Sequence, residues 1–379
     1  MNKEQEALLE LIKQSQFGVS EQISFDNIDM ELLYDEALSQ SVLGLVAAEI
    51  PVDLINDKWK KAQYRQKSRY ILYCHAQDEL KNLLDNAGIP FVILKGNAAA
   101  VYYNDPSQRM MGDIDFIVPQ DLYERAKAVL ISSGYMELKD NGRHTGFRRD
   151  KMTFELHHHF SHEIDIESYL IDGIRCRSFS YIDDHIFPVL PRLANGLVLL
   201  EHLRNHLKAS IGIRQVVDWM MYVYRNLDDE YWNNEFKFVA EEKGMDTLAI
   251  AITRMCQIYL GLPDDIMWCK SANLSTCEQL MELLLMSGNF GRRNGDGLAV
   301  ELIRTNIVKV GLFRWLQITG ESKWEAYQKY HWLKPLCWFY QICRYIIQYF
   351  KSGRKKNLLS EDFERSKKRI LLLSELKIN

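Results

Sequence analysis

The sequence predicts an α+β fold, with an α/β core held between two helical regions. Apolar residues follow a helical period to about residue 88, and helical periodicity returns after about residue 193. Between them, from residue 90 to about 160, the apolar residues fall into short strand-like runs. The chain is therefore expected to divide into an N-terminal helical region (1–88), a core (89–192) and a C-terminal helical region (193–379). With 379 residues, 47% of them hydrophobic, it can bury a large core, and its length fits about two or three structural units.

Each element has a local signature. The opening "MNKEQEALLELIKQSQ" reads as an acidic amphipathic helix without an apolar signal core. Residues 59–88 carry one long helical pattern, which Gly88 and Pro90 stop. "FVILKG" (91–96) follows as a buried strand, then a short helix from Asn97 to about Tyr103, then the loop "NDPSQRMMG" (104–112). "DIDFIVP" (113–119) is the second strand and "QDLYERAKAVLISSG" (120–134) an amphipathic helix closed by glycine. "YMEL", a polar turn at 140–142, "HTGFRRD" and "KMTFELHHHF" give three more strands, the last two joined by a tight turn at Asp150 and Lys151.

The bulk charge narrows the partners. Forty-seven basic residues against 51 acidic leave a net charge of -4, which disfavours a surface that coats long nucleic acid. Any phosphate contact must be local, and a nucleotide-sized ligand fits that better. The seven cysteines are scattered and form no Cys-x-x-Cys pair, so a reducing, cytoplasmic setting is expected. No window is apolar for the length needed to span a bilayer.

The chemistry concentrates in "QRMMGDIDFIV" (108–118). Residues two apart on a strand share a face, so Asp113 and Asp115 project together while Ile114 enters the opposite layer. Two carboxylates that close repel unless a cation lies between them. Magnesium suits one or two protein carboxylates plus phosphate oxygens, so the pair predicts a metal-nucleotide site, with room for two ions. A third carboxylate must come from a neighbouring strand. Glu155, between the core-facing Phe154 and Leu156, is the candidate; Glu163 and Asp165 in "HEIDIES" repeat the alternation and are its rivals. Upstream, Lys95 offers a point charge, Gly96 permits close backbone approach and the helix from Asn97 offers N-terminal amides to an anion. Arg109, in the loop before the aspartates, can reach the same phosphates.

These residues resemble a known family. "ILKG" (93–96), "RMMGDIDFIV" (109–118) and "FELHHHF" (154–160) occur in the order and spacing of the DNA polymerase beta-like nucleotidyltransferases, and within them of a bacterial branch described only as uncharacterised nucleotidyltransferases. The likeness extends into "LRNHLKASIGIRQVVDWMMYV" (203–223). The resemblance implies a small mixed sheet flanked by helices, with Asp113, Asp115 and Glu155 as metal-binding and catalytic carboxylates. It implies attack by an acceptor on the α-phosphorus of a nucleoside triphosphate, transfer of the nucleoside monophosphate and release of pyrophosphate. It also implies that His206, Arg214 and Asp218 face the cleft, Arg214 binding phosphate or acceptor and Asp218 fixing Arg214. The wider superfamily has Gly-Ser where this chain has Gly96-Asn97, a departure that bears on the phosphate loop and on nucleotide choice.

Other readings compete. His157 and His159 share a strand face and suggest zinc, but no third ligand stands at a firm spacing, so His157 is read as supporting the carboxylates or touching substrate, or else as a local hydrogen bond that orients Glu155. Asp-x-Asp also serves glycosyltransferases, although 88 helical residues before the first strand are unlike them. A catalytically silent binding protein of the same fold is the third reading. "SGNFGRRNGDG" (287–297) has the composition of a loop that closes over a ligand. The aromatic and basic segment 323–356 is suited to packing on its own domain, to a homodimer contact, or to an anionic membrane surface. The acceptor, whether small molecule, sugar or protein, has no signature in the sequence.

Overall fold

Four helices precede the sheet: α1 (Lys3–Phe17), α2 (Met30–Ser39), α3 (Leu43–Glu49) and α4 (Asp57–Asn86). The computed structural model describes residues 1–19, 23–161, 164–208, 211–288, 311–323, 330–351 and 361–378. Helix α4 starts where the Asn56 side chain accepts from the amides of Lys58 and Trp59, and it gives way to Gly88 at φ 65°. This is the long helix that the spacing predicts.

The core follows as β1 (Val92–Ile93), α5 (Asn97–Ala100), β2 (Ile114–Ile117), α6 (Tyr123–Ser132), β3 (Met136–Asp140), β4 (His144–Arg149), β5 (Met152–His157), α7 (Glu167–Arg175), β6 (Ser178–Ile182) and β7 (His185–Val189). One seven-stranded sheet takes the order β3-β4-β5-β2-β1-β7-β6. It is mixed, as expected: β2 runs parallel to β5 and β1 to β7, while the other pairs are antiparallel. Asp150, at φ 53°, makes the tight β4–β5 turn.

The structure adds to and corrects this reading. The β6–β7 hairpin, turned at Asp183 with φ 50°, was not expected. The alternating run around Asp165 is no strand; it leads into α7, and Asp165 accepts from the Glu167 amide at 3.2 Å. The helix at Asn97 ends at Ala100 rather than near Tyr103.

One face of the sheet carries the hydrophobic core. Ile114 and Phe116 of β2, Phe147 of β4, and Phe154 and Leu156 of β5 pack with Tyr73, Leu80 and Leu84 of α4 and with Ala126 and Leu130 of α6. Alternation then sends Asp115, Glu155 and His157 to the opposite face. Burial of this one face is what fixes the strand register.

Beyond the sheet, α8 (Arg192–Lys208) and α9 (Ile213–Asn226) flank residues 209–212, and residues 209–210 lie outside the described residues. The N-terminal helices clamp the loop 104–112. Ser15 Oγ donates to Gln108 Oε1 at 2.8 Å, and Gln66 Nε2 donates to the Arg109 carbonyl at 2.7 Å. A Cβ on Gly44 would lie 2.2 Å from the Gln108 carbonyl oxygen, so glycine allows α3 to reach the loop.

The chain forms two compact units, Met1–Arg293 and Asn294–Asn379. The second contains the helices Leu312–Lys323, Lys334–Lys351 and Glu361–Glu375. The first two pack so closely that a Cβ on Gly320 would meet Cys337 Sγ at 1.8 Å. Trp332 and Phe339 of the aromatic segment are exposed; residues 324–329 and 352–356 of it lie outside the described residues, as do 289–297 of the glycine- and arginine-rich stretch. Among the described residues no helix is long and apolar enough to cross a membrane.

Candidate active site

Strand register gathers the acidic residues. Parallel pairing sets Asp115 beside Glu155 and Ile117 beside His157, while antiparallel pairing sets His144 of β4 opposite His157 and Gly146 opposite Glu155. Asp115, Glu155, His157 and His144 thus share one face of three adjacent strands. Asp113 stands just before β2 and is exposed, whereas Asp115 is buried.

The turn after β1 brings a cation to the aspartates. Lys95 and Gly96 both have positive φ, 38° and 51°, and this folds the chain so that Lys95 Nζ lies 2.6 Å from Asp115 Oδ1. A Cβ at Gly96 would fall 2.0 Å from the Tyr73 hydroxyl, and that hydroxyl donates to the Asp113 carbonyl at 3.3 Å. Glycine is therefore needed for two reasons, its backbone conformation and its closeness to Tyr73. The amides expected to face an anion are otherwise engaged: Ala98 donates to the Lys95 carbonyl at 2.8 Å, and Ala99 and Ala100 donate to Gly96 at 3.2 and 2.9 Å. The short turn of α5 satisfies them internally.

The carboxylates perturb one another. Burial alone would raise the Asp115 pKa, but the Lys95 charge and the His157 Nε2 contact at 3.0 Å outweigh it and hold the group well below the usual carboxylate range. Glu155 is pushed up to about 8, by burial first and by the Asp115 charge second. Asp113 is raised by desolvation and then by Asp115. Burial pushes the His144 imidazole down to about 4 and lowers His157 as well, so both rings are neutral at physiological pH.

A pH effect on stability follows from Glu155. Its folded pKa lies above the ordinary 4.5, so the native protein keeps a proton that the unfolded chain releases. The corresponding stability is full below pH 4.5 and disappears as pH rises through 8. In chelator-treated protein this group is expected to remove on the order of 2 kcal/mol between pH 6 and pH 9. Glu155→Gln should lack that decline, and melting temperatures of the two proteins at both pH values test it.

Arg109 does something other than expected. It is 4% exposed and binds Asp218 through two contacts of 2.7 Å, Nε to Oδ1 and Nη2 to Oδ2, while the Tyr103 hydroxyl also donates to Oδ1 at 2.7 Å. The guanidinium is committed to this buried pair and does not reach out to phosphate. Asp218 therefore fixes Arg109, where the resemblance implied Arg214. Arg214 Nη1 donates to the Met110 carbonyl at 3.2 Å. His202 and His206 form a T-shaped pair with centroids 4.5 Å apart. Burial, followed by the charge of Lys95, holds the His202 pKa well below its ordinary value, and both Asp115 and Arg214 contribute to its field.

The histidine run separates. His158 stacks on Tyr123, with centroids 3.9 Å apart, and meets Asp140 Oδ2 at 2.7 Å, while His159 is half-exposed with Nδ1 3.8 Å from Glu167. His162 and Glu163 lie outside the described residues. The sequence reading missed His144, whose ring faces Glu155 at 3.3 Å.

The family match makes this a nucleotidyltransferase-like protein. The family described as "Uncharacterised nucleotidyltransferase" matches residues 26–261, more than half of the chain, and the chain belongs to it. Among solved structures, an antigenic nucleotidyltransferase-like protein from Paracoccidioides brasiliensis is similar at 14% identity and a TM-score of 0.33, over 50% of this chain and 92% of that one. No curated protein matches the chain.

Proposed function

We propose that the chain is a magnesium-dependent nucleotidyltransferase, moving a nucleoside monophosphate from a nucleoside triphosphate to an acceptor and releasing pyrophosphate. The observation that carries this reading is the pairing of Asp115 and Glu155 on one sheet face beside Lys95, with Asp113 at the entry to β2. Asp113 and Glu155 are both raised, by burial first and by the Asp115 charge second, and a divalent cation among these oxygens would relieve that repulsion.

Asp113 and Asp115 hold the magnesium, and Glu155 completes the set. When bound, magnesium neutralises developing charge on the phosphates and aligns the reacting oxygens. Lys95 exchanges its contact with Asp115 for the phosphates, and Gly96 lets the backbone approach them. Arg214, whose Nη1 donates to the Met110 carbonyl, is assigned to phosphate or acceptor. The acceptor oxygen forms its bond to the α-phosphorus as the bond to the pyrophosphate oxygen breaks. Where Glu155 does not ligate the ion, its ionised carboxylate takes the acceptor proton instead. A small molecule, sugar or protein fits the net charge of -4 better as acceptor than a long nucleic acid does.

The test is incubation of the full chain with α-labelled nucleoside triphosphates, magnesium and a cell extract. Label on a macromolecule or metabolite together with pyrophosphate release is the expected result. Nucleoside diphosphate release from a sugar nucleotide would instead identify a glycosyltransferase. Lack of any magnesium-dependent nucleotide binding would indicate a silent binding protein.

A further inference from the structure

The face that carries the carboxylates also carries two imidazoles. Donor atoms of His144, Glu155 and His157 all lie within 4.8 Å of one another. His144 Nε2 is 3.3 Å from Glu155 Oε1, and His157 Nε2 is 3.8 Å from Glu155 Oε2. With metal–ligand bonds of about 2.0–2.2 Å, tetrahedral geometry sets neighbouring donors roughly 3.3–3.5 Å apart. Both imidazoles are therefore close to ligand spacing from Glu155, and the third separation lies within 4.8 Å.

The hydrogen bonds prepare the imidazoles for this. Asn141 Oδ1 accepts from the amides of Arg143 at 2.9 Å and His144 at 3.0 Å, which fixes the two ends of that side-chain amide. Its NH2 end therefore faces His144 Nε2, 3.0 Å away, so that nitrogen carries the lone pair and its ring proton lies on Nδ1. His157 is 2% exposed; its Nε2, the nitrogen that faces Glu155, meets Asp115 Oδ1 at 3.0 Å, a contact that an ion there replaces, and its partnerless Nδ1 then holds the ring proton. Lys95 takes up the charge of Asp115, which leaves Glu155 as the carboxylate of this group.

We propose that His144, Glu155 and His157 form a site for a borderline transition-metal ion of the zinc or cobalt class, separate from Asp113 and sharing only Glu155 with the carboxylates assigned to magnesium. Two nitrogens and one carboxylate select such an ion over magnesium, which prefers oxygen ligands. Three protein ligands also leave a coordination position open, as in metal sites that act on a ligand. Because Glu155 belongs to both sets, occupation here is linked to its part in transfer; that link alone rests on the function proposed above.

Cobalt(II) titration of the metal-free full chain tests the site by its visible d–d absorption. A band from low-coordinate cobalt is expected, persisting in millimolar magnesium. In His144→Ala and in His144→Gln, which keeps size and polarity, cobalt affinity is expected to fall by about 100-fold or more. Circular dichroism establishes that both variants fold. Absence of the band, its displacement by magnesium, or its survival at full affinity in a folded His144 variant overturns the proposal. Asp113→Ala separates the two readings, because it removes a proposed magnesium ligand and is expected to leave the cobalt band intact. Failure to release pyrophosphate would sink the proposed reaction without touching the band.

Discussion

Asp113→Ala is expected to lower magnesium-dependent pyrophosphate release by about 10³-fold or more, because charge stabilisation and alignment supply most of the catalysis in phosphoryl-type transfers. The variant is informative because Asp113 is exposed and stands before β2 rather than inside it. The Ile114 and Phe116 packing that holds the strand is untouched. Loss of the Asp113 carboxylate also relieves repulsion with Asp115, so the fold has no electrostatic reason to weaken. The melting temperature in chelator should stay close to wild type while the rate collapses. Pyrophosphate release at the wild-type rate, with a proven acceptor, would exclude Asp113 from the reaction.

Asp218→Ala should act through stability. It would strand Arg109 at 4% exposure without its carboxylate and deprive the Tyr103 hydroxyl of its acceptor. Breaking a buried pair from one side typically costs about 3–5 kcal/mol. For a unit of this size that corresponds to a fall in melting temperature of roughly 10 °C. Replacing both partners by apolar residues of similar volume, Arg109→Met with Asp218→Leu, should recover much of the loss, since no uncompensated charge remains. A double variant as unstable as Asp218→Ala would show that the pair does more than balance its own burial. Thermal denaturation of the three proteins decides this.

What was legible in the sequence was what depends on near neighbours. Strand alternation aims Asp115 and Glu155 by a rule that needs only the residues beside them, and Gly88 stops α4 by its own backbone freedom. His144 was within reach. Once the tight turn sets Arg149 opposite Met152, counting five residues outward along each strand reaches His144 opposite His157. The β6–β7 hairpin was hidden by its chemistry: Phe179 and Tyr181 are exposed, and Pro188 inside β7 reads as a strand breaker. Arg109 was misjudged because its partner is 109 residues away. No local pattern distinguishes a phosphate-binding arginine from one buried against a distant aspartate. The same is true of Gly96, whose steric constraint comes from Tyr73 of α4.

The clamped loop 104–112 bears on how the protein is made. Ser15 reaches it across 93 positions of chain, Gln66 across 43 and Asp218 across 109. Contacts of that separation close late, because the entropy of long loops must be overcome before they form. Ser15 and Gln66 precede the loop, so only its Arg109–Asp218 hold must wait until synthesis has passed α9. A nascent chain can assemble its sheet before the guanidinium at the approach to its own aspartates has a carboxylate to bind.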